Sequence, residues 1–136
     1  MHRHLVEKLL GRDSAIQLVV AFNGESKITG FAAVILLHSL VEPEPEVEGQ
    51  CLLKELFVSE AYRSSGVGRA LMVWVARYAA THRCSRIDWS VKATNTQGRA
   101  FYEGLGAQLV PDRMSYRLSR EGIEQLVTRA GGESDA

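Results

Sequence analysis

Apolar residues recur along this chain with two different periods, and the changes of period mark out a series of short elements. Leu5, Val6, Leu9 and Leu10 stand at helical spacing, which predicts a helix from His2 to Leu10 with Gly11 as a left-handed cap. Ala15 to Phe22 reads as a strand, Asn23-Gly24 as a hairpin signal, and Lys27 to His38 as the returning strand. That second strand is apolar at nearly every position, so it is expected at the centre of a sheet. Pro43 and Pro45 forbid ladder hydrogen bonds, and Glu42, Glu44, Glu46 and Glu48 favour water, so Ser39 to Gln50 reads as a loop.

Leu52 to Val58 predicts the next strand, and Ser59 to Ser65 connects it to a helix from about Gly66 to His82. Val67, Leu71, Trp74 and Tyr78 fall along one face of that helix. A short strand follows from Arg86 to Val91, then a helix from an Asn95 cap through Leu105 with Gly106 as its stop. Gln108 to Val110 and Met114 to Leu118 are expected as a last strand pair around Pro111-Asp112. Ser119 caps a final helix to about Arg129. Helices segregated among mostly antiparallel strands make this an α+β fold. Residues 1–130 are read as one domain, with 131–136 as a disordered tail.

Composition narrows the function classes. A chain of 136 residues with 46% apolar content can bury one core. Sixteen basic residues balance 16 acidic ones, which argues against a nucleic-acid-coating protein but allows a local basic groove. No apolar run approaches the roughly 18 residues that span a bilayer, and the N-terminus lacks a signal-peptide core. No membrane partner is therefore expected. Cys51 and Cys84 have neither CxxC nor histidine spacing suited to zinc, so no metal is expected and a cytoplasmic chain with reduced thiols is the plain reading.

The informative stretch is Glu55 to Arg69, in which strand, turn and helix follow one another with Gly66 and Gly68 at the helix start. The first turn of a helix carries unpaired N–H groups and the positive end of the macrodipole. Glycines there let a phosphate approach those groups without a Cβ in the way. Arg69 in the first turn opposes the dipole, at a cost of about 0.3–1 kcal/mol unless an anion lies nearby. Arg69 as a good helix former pointing into water is an equally simple account. The P-loop pattern GxxxxGK[ST] does not occur. Asp88 stands where a ribose-binding acid would in a dinucleotide fold, but there the glycines leave the strand directly, whereas Ser59 to Ser65 intervene here.

Arg63, Gly66 and Gly68 match the signature Arg/Gln-x-x-Gly-x-Gly/Ala, and downstream come Asn95, Phe101-Tyr102 and Gly104-Leu105-Gly106-Ala107. With both patterns in order, the stretch from Ile16 to Leu118 resembles the GNAT superfamily of N-acetyltransferases, in style nearest those acting on diamines and polyamines. The resemblance implies acetyl-coenzyme A as co-substrate, its pyrophosphate held by the amides of Ser64, Ser65, Gly66, Val67, Gly68 and Arg69, with Arg63 beside them. It implies that the backbone of Phe57 and Val58 binds the pantetheine arm and polarises the acetyl carbonyl. Asn95 and Gly98 would line the same channel, and Tyr102 would serve as general acid.

Chemistry independently suits those roles: backbone N–H groups stabilise an oxyanion without reorganising, and a tyrosine can protonate a leaving thiolate. Tyr102 also fits a core aromatic beside Phe101. Glu55 is the candidate base, or equally a surface carboxylate paired with Lys54 or Arg86.

The superfamily fold usually opens with a strand and helix ahead of the equivalent of His2 to Leu10, and this sequence is expected to lack that unit. Ala15 to Phe22 would then be an exposed apolar edge, which predicts a homodimer that protects it or contributes to the pocket. The glutamate loop could draw in a cationic amine or be merely solvated. The expected function is transfer of an acetyl group to a small cationic amine such as a diamine or polyamine. The alternatives are a protein terminus or lysine, an aminoglycoside, and a non-catalytic acyl-coenzyme A-binding dimer.

Overall fold

Strands pair in sequence order through the first part of the chain. β1 (His4–Leu9), β2 (Ile16–Phe22), β3 (Ile28–Leu37), β4 (Gly49–Val58) and β5 (Cys84–Asp88) form one five-stranded sheet. The first three pairings are antiparallel, and β4 and β5 are parallel. A parallel pair needs a long crossover, which α1 (Val67–Thr81) supplies. The computed structural model describes residues 4–9, 16–37 and 49–131. They fall into two compact units, Met1–Ala100 and Phe101–Ala136, and α2 (Thr96–Gly104) crosses that boundary.

The helix expected over His2 to Leu10 is a strand instead. β1 pairs with β2 from His4↔Phe22 to Leu9↔Gln17. Four apolar residues in so short a run satisfy either period, and a helix of that length is marginal on its own in water. The ladder edge of β2 offers backbone partners that a helix could not use, and it decides the outcome. The same pairing removes the uncovered β2 edge from which a homodimer was expected.

Core residues come from β2, β3, β4 and α1. Val19, Ala32, Val34, Cys51, Leu71 and Val75 are fully buried. β3 is buried on both faces, as its near-continuous apolar run requires. On α1 the buried stripe is Val67, Leu71, Val75 and Ala79, with Met72 beside it. Trp74 and Tyr78, expected on that stripe, lie at its flank, where their rings stack 5.2 Å apart. The Tyr78 hydroxyl donates to Gln17 Oε1 at 3.4 Å and joins α1 to β2. Burial pushes the Cys51 thiol up to about 11, with Cys84 adding to the effect, so it stays protonated near neutral pH and is a structural residue.

The β2–β3 hairpin closes through a three-residue loop rather than a tight Asn-Gly turn. Ser26 N donates to the Asn23 carbonyl at 3.1 Å, Asn23 N donates to the Lys27 carbonyl at 2.9 Å, and Ser26 takes the left-handed conformation with φ of 61°. β5 occupies Cys84–Asp88, so Trp89 to Val91 lie outside the strand expected there.

In the second unit α2 ends in a Schellman motif. Gly106 N donates to the Glu103 carbonyl and Ala107 N to the Tyr102 carbonyl, with Gly106 left-handed at φ 99°. α3 (Arg120–Ala130) is capped by Ser119, whose hydroxyl accepts from Gly122 N at 3.1 Å. The final strand pair does not form: 108–110 and 114–118 are irregular, and Leu109, Met114 and Tyr116 are exposed. Pro111 removes a ladder donor, and a two-stranded hairpin is marginal alone. The glutamate loop, apart from Gly49 and Gln50 in β4, and the tail at 132–136 lie outside the described residues.

Candidate functional site

β4 changes character halfway along. Ala33 pairs with Glu55 but Val34 with Leu53, so Lys54 is an extra residue, a β-bulge. Alternation shifts phase there. Cys51 and Leu53 are buried, Lys54 and Glu55 are both exposed, and Leu56 and Val58 then alternate with the more exposed Phe57. Glu55 and Phe57 therefore share one face of the strand. Phe57 is directly opposite Phe31, with ring centroids 5.6 Å apart.

On its other side β4 parts from β5. Their pairing ends at Leu52↔Asp88, so the β5-facing backbone of Leu53–Val58 has no strand partner. Such a crevice at the carboxyl ends of parallel strands is where open α/β sheets bind ligands. Gly30 permits the close packing behind it. A Cβ on Gly30 would lie 2.6 Å from the Phe57 carbonyl oxygen, so only glycine lets β3 and α1 come together behind this end of β4.

A 3-10 turn, Glu60–Tyr62, leads from β4 into the loop before α1. Ser64 (φ 63°) and Gly66 (φ 90°) are both left-handed, with Ser65 between them. The Ser65 hydroxyl donates to the Tyr62 carbonyl. Gly66 is the N-cap of α1, no side chain caps it, and no acidic residue stands in the first turn. The amides of Val67, Gly68 and Arg69 thus have no intrahelical acceptor. Successive N–H groups in such a turn form an anion-binding concavity, and an uncapped glycine end fits a pyrophosphate. Arg63 Nε donates to the Val58 carbonyl at 3.1 Å, fastening this loop to the free edge of β4. Phe57, Val58 and the segment 63–69 are therefore gathered in one place.

Asn95 caps α2: its Oδ1 accepts from Gly98 N at 2.9 Å. A Cβ on Gly98 would lie 2.6 Å from Asn95 Nδ2, so the two residues expected to line one channel are packed together. Asp88 pairs with Arg86 at 2.7 Å, which takes Arg86 away from Glu55. Tyr102 belongs to the second unit, where it is half-buried and its ring meets Phe101 at 5.3 Å. Burial raises its hydroxyl above the ordinary tyrosine value, so it holds its proton at neutral pH. Among the described residues no three His, Cys, Asp or Glu cluster to hold a metal ion, and no helix is long and apolar enough to cross a membrane.

The sequence reading missed Gly30, Tyr62 and the reach of Asn23 beyond its own turn. Gly30 interrupts an apolar strand, a known mark of close backbone approach, but the Asn23–Tyr62 contact spans 39 positions with no local signal.

Comparison with known proteins places this geometry. L-ornithine N5-acetyltransferase of Arabidopsis thaliana is 30% identical over 74 residues, covering 54% of this chain and 32% of that enzyme. Thialysine N-epsilon-acetyltransferase of Mus musculus is 31% identical over 85 residues, covering 57% of this chain and 47% of that enzyme. The match thus spans less than half the length of either. The solved structure of an integron cassette protein from the mobile metagenome of V. cholerae superposes with a TM-score of 0.75 and 34% identity, over 85% of this chain and 68% of that one. The acetyltransferase (GNAT) family pattern matches residues 2–107, which include the parted strands and the uncapped helix, and the chain belongs to that family.

Proposed function

We propose that this chain transfers the acetyl group of acetyl-coenzyme A to a small cationic primary amine by direct attack. One observation carries the reading: two arrays of backbone groups without helix or strand partners are joined in one unit. They are the amides at the start of α1 and the edge of Leu53–Val58, linked by the bond from Arg63 to the Val58 carbonyl.

Acetyl-coenzyme A supplies the acetyl group as a thioester. The amides of Ser64 to Arg69 hold its pyrophosphate against the positive end of α1, and exposed Arg63 and Arg69 add charge. Asn95 spends Oδ1 on the α2 cap, so its Nδ2 is what it offers the pantetheine arm, beside Gly98. Arg63 occupies the Val58 carbonyl; Phe57, of the same parity as Ser59, turns its backbone groups to β3, so the Val58 N–H is the donor to the acetyl carbonyl. Glu55, on the same face of β4 as Phe57, takes a proton from the incoming ammonium so that the amine attacks neutral. As the C–S bond breaks, Tyr102 gives its proton to the departing thiolate and regains one from the nitrogen of the new amide; burial favours the protonated hydroxyl beforehand.

The amine class is supported by the names of the relatives, one an ornithine and one a thialysine acetyltransferase. Diamines and polyamines present the same primary ammonium on a flexible chain. We take residues 1–130 to act as one catalytic domain in the cytoplasm, a setting that suits free Cys51 and Cys84. The homodimer has lost its argument from an uncovered β2 edge, and sedimentation at micromolar concentration decides it.

The test is thiol release from acetyl-coenzyme A across diamines, polyamines, amino acids, aminoglycosides and peptides. Turnover on the diamine group supports the reading, and turnover confined to peptides or aminoglycosides moves the acceptor to that class. Binding without turnover on any acceptor replaces catalysis with acyl-coenzyme A binding, and no binding at all refutes the proposal.

A further inference from the structure

The loop that precedes α1 is held from behind by the β2–β3 hairpin, at two points. Ser59 N donates to the Thr29 carbonyl at 2.8 Å. Asn23 Nδ2 donates to the Tyr62 hydroxyl at 2.7 Å, in a half-buried contact between residues 39 apart. Thr29 is itself anchored, because its buried hydroxyl donates to the Ala21 carbonyl at 3.2 Å across the hairpin.

Both ends of the Asn23 amide are engaged in this arrangement. Its Oδ1 accepts from Glu25 N at 2.9 Å and Lys27 N at 3.0 Å, which makes an Asx turn and fixes the side chain. Those two acceptor bonds also settle which way round the amide stands, since the reverse orientation would set an NH2 group against two N–H donors. The remaining donor, Nδ2, points at Tyr62. Tyr62 in turn ends the 3-10 turn, and its carbonyl accepts from the Ser65 hydroxyl. Ser65 lies between Ser64 and Gly66, the two left-handed residues that shape the anion concavity.

We propose that Asn23 and Tyr62 are positioning residues for the coenzyme A pyrophosphate: the hairpin turn holds Tyr62, Tyr62 holds Ser65, and Ser65 holds the loop amides ready before ligand arrives. The inference rests on the pyrophosphate assignment above and goes beyond it by naming what organises the loop. Ser64 supports it, because a non-glycine residue at φ 63° persists only where its surroundings enforce that conformation. A loop already in its bound shape binds without an ordering cost, so loosening it lowers affinity by the fraction of molecules left in that shape. Neither residue touches the acetyl group in this scheme, so the chemical step itself does not depend on them.

The test uses the full chain and coenzyme A, with binding measured by calorimetry and acetyl transfer measured separately. Tyr62→Phe removes one hydroxyl and leaves the Asx turn of Asn23 intact. The expected result is a dissociation constant for coenzyme A raised about 3–10-fold, the range for one lost hydrogen bond. KM for acetyl-coenzyme A rises in parallel while kcat at saturation is kept. Asn23→Ala weakens binding as well, and combining it with Tyr62→Phe produces less than the product of the two separate losses, because both remove one contact. An unchanged constant in Tyr62→Phe, or effects that multiply fully in the double variant, overturns the inference while leaving the function standing. If the wild-type chain does not bind coenzyme A, the proposed function and this inference fall together.

Discussion

Gly30→Ala probes the most crowded point behind the site. The added methyl would lie 2.6 Å from the Phe57 carbonyl oxygen, 3.2 Å from Leu71 Cδ1 and 3.3 Å from Val67 Cγ1. A real Cβ keeps at least 3.0 Å, so β3 and β4 must separate by about 0.4 Å at the least. Leu71 and Val67 are buried at 0% and 1% exposure and cannot give way, which directs the movement into β4. Overpacking of this kind costs about 1–3 kcal/mol. Replacing a strand glycine recovers about 0.5–1 kcal/mol of chain entropy. The net loss is about 1–2 kcal/mol, or roughly 3–8 °C in Tm for a chain of this size.

In the proposed scheme function suffers more than stability, because the displaced atoms belong to Phe57 and Val58. Misplacing a catalytic group by 1 Å can cost about 100-fold, so a shift of half that size predicts a fall of about 10-fold in kcat/KM. Thermal melting and thiol release on the same preparation measure both. Gly24→Ala is the control, since nothing lies within 4 Å of a Cβ there. A Gly30→Ala variant with wild-type Tm and wild-type turnover would refute the account of why glycine stands at this position.

Tyr102→Phe is expected to lower kcat by about 100-fold or more while coenzyme A affinity holds. In the wild-type chain the alkaline limb of kcat should lie above pH 10, because burial raises the hydroxyl from the ordinary value of 10.0; a limb at lower pH that persists in Tyr102→Phe would assign the titration elsewhere. Asn95→Asp keeps an acceptor for Gly98 N and removes the Nδ2 donor, so stability should stay near wild type while coenzyme A affinity falls several-fold. Asn95→Ala should lose the cap as well, about 1 kcal/mol, read as a lower urea midpoint. Cys51 gives a pH signature of its own. Its folded value of about 11 exceeds 9.0, so the unfolded chain releases its proton first and stability is complete below pH 9. Between pH 9 and 11 it should decline by up to about 3 kcal/mol, a slope that Cys51→Ala should flatten in urea titrations.

Where a residue's role is local, the sequence disclosed it. Val67 to Thr81 announced a helix by period, Asn95 and Ser119 announced caps by residue type, and Gly66 announced a turn because only glycine enters it cheaply. Where the role depends on a distant partner, the sequence was silent or misleading. Leu5, Val6, Leu9 and Leu10 fit a helix until the edge of β2 is there to receive them. Met114 to Leu118 has strand composition but no ladder to join. The bulge at Lys54 had a faint trace, two polar residues in succession within an apolar strand, though its position opposite Ala33 and Val34 depended on β3. Asn23 was read correctly as a turn residue, yet half of its amide serves a tyrosine 39 positions away.

That bulge has a consequence for how the protein can change. It divides β4 at Lys54 into an N-terminal half whose buried side chains, Cys51 and Leu53, belong to the core, and a C-terminal half that carries Glu55, Phe57 and Val58. A single strand thus holds two populations of residues with different surroundings. In the proposed scheme, substitutions that raise thermal tolerance are sought among Gly49 to Leu53, and substitutions that alter turnover at Glu55 and Phe57. Deleting Lys54 would remove the bulge without exchanging the faces, because Glu55 would then follow buried Leu53 directly and, with Phe57, keep the exposed side.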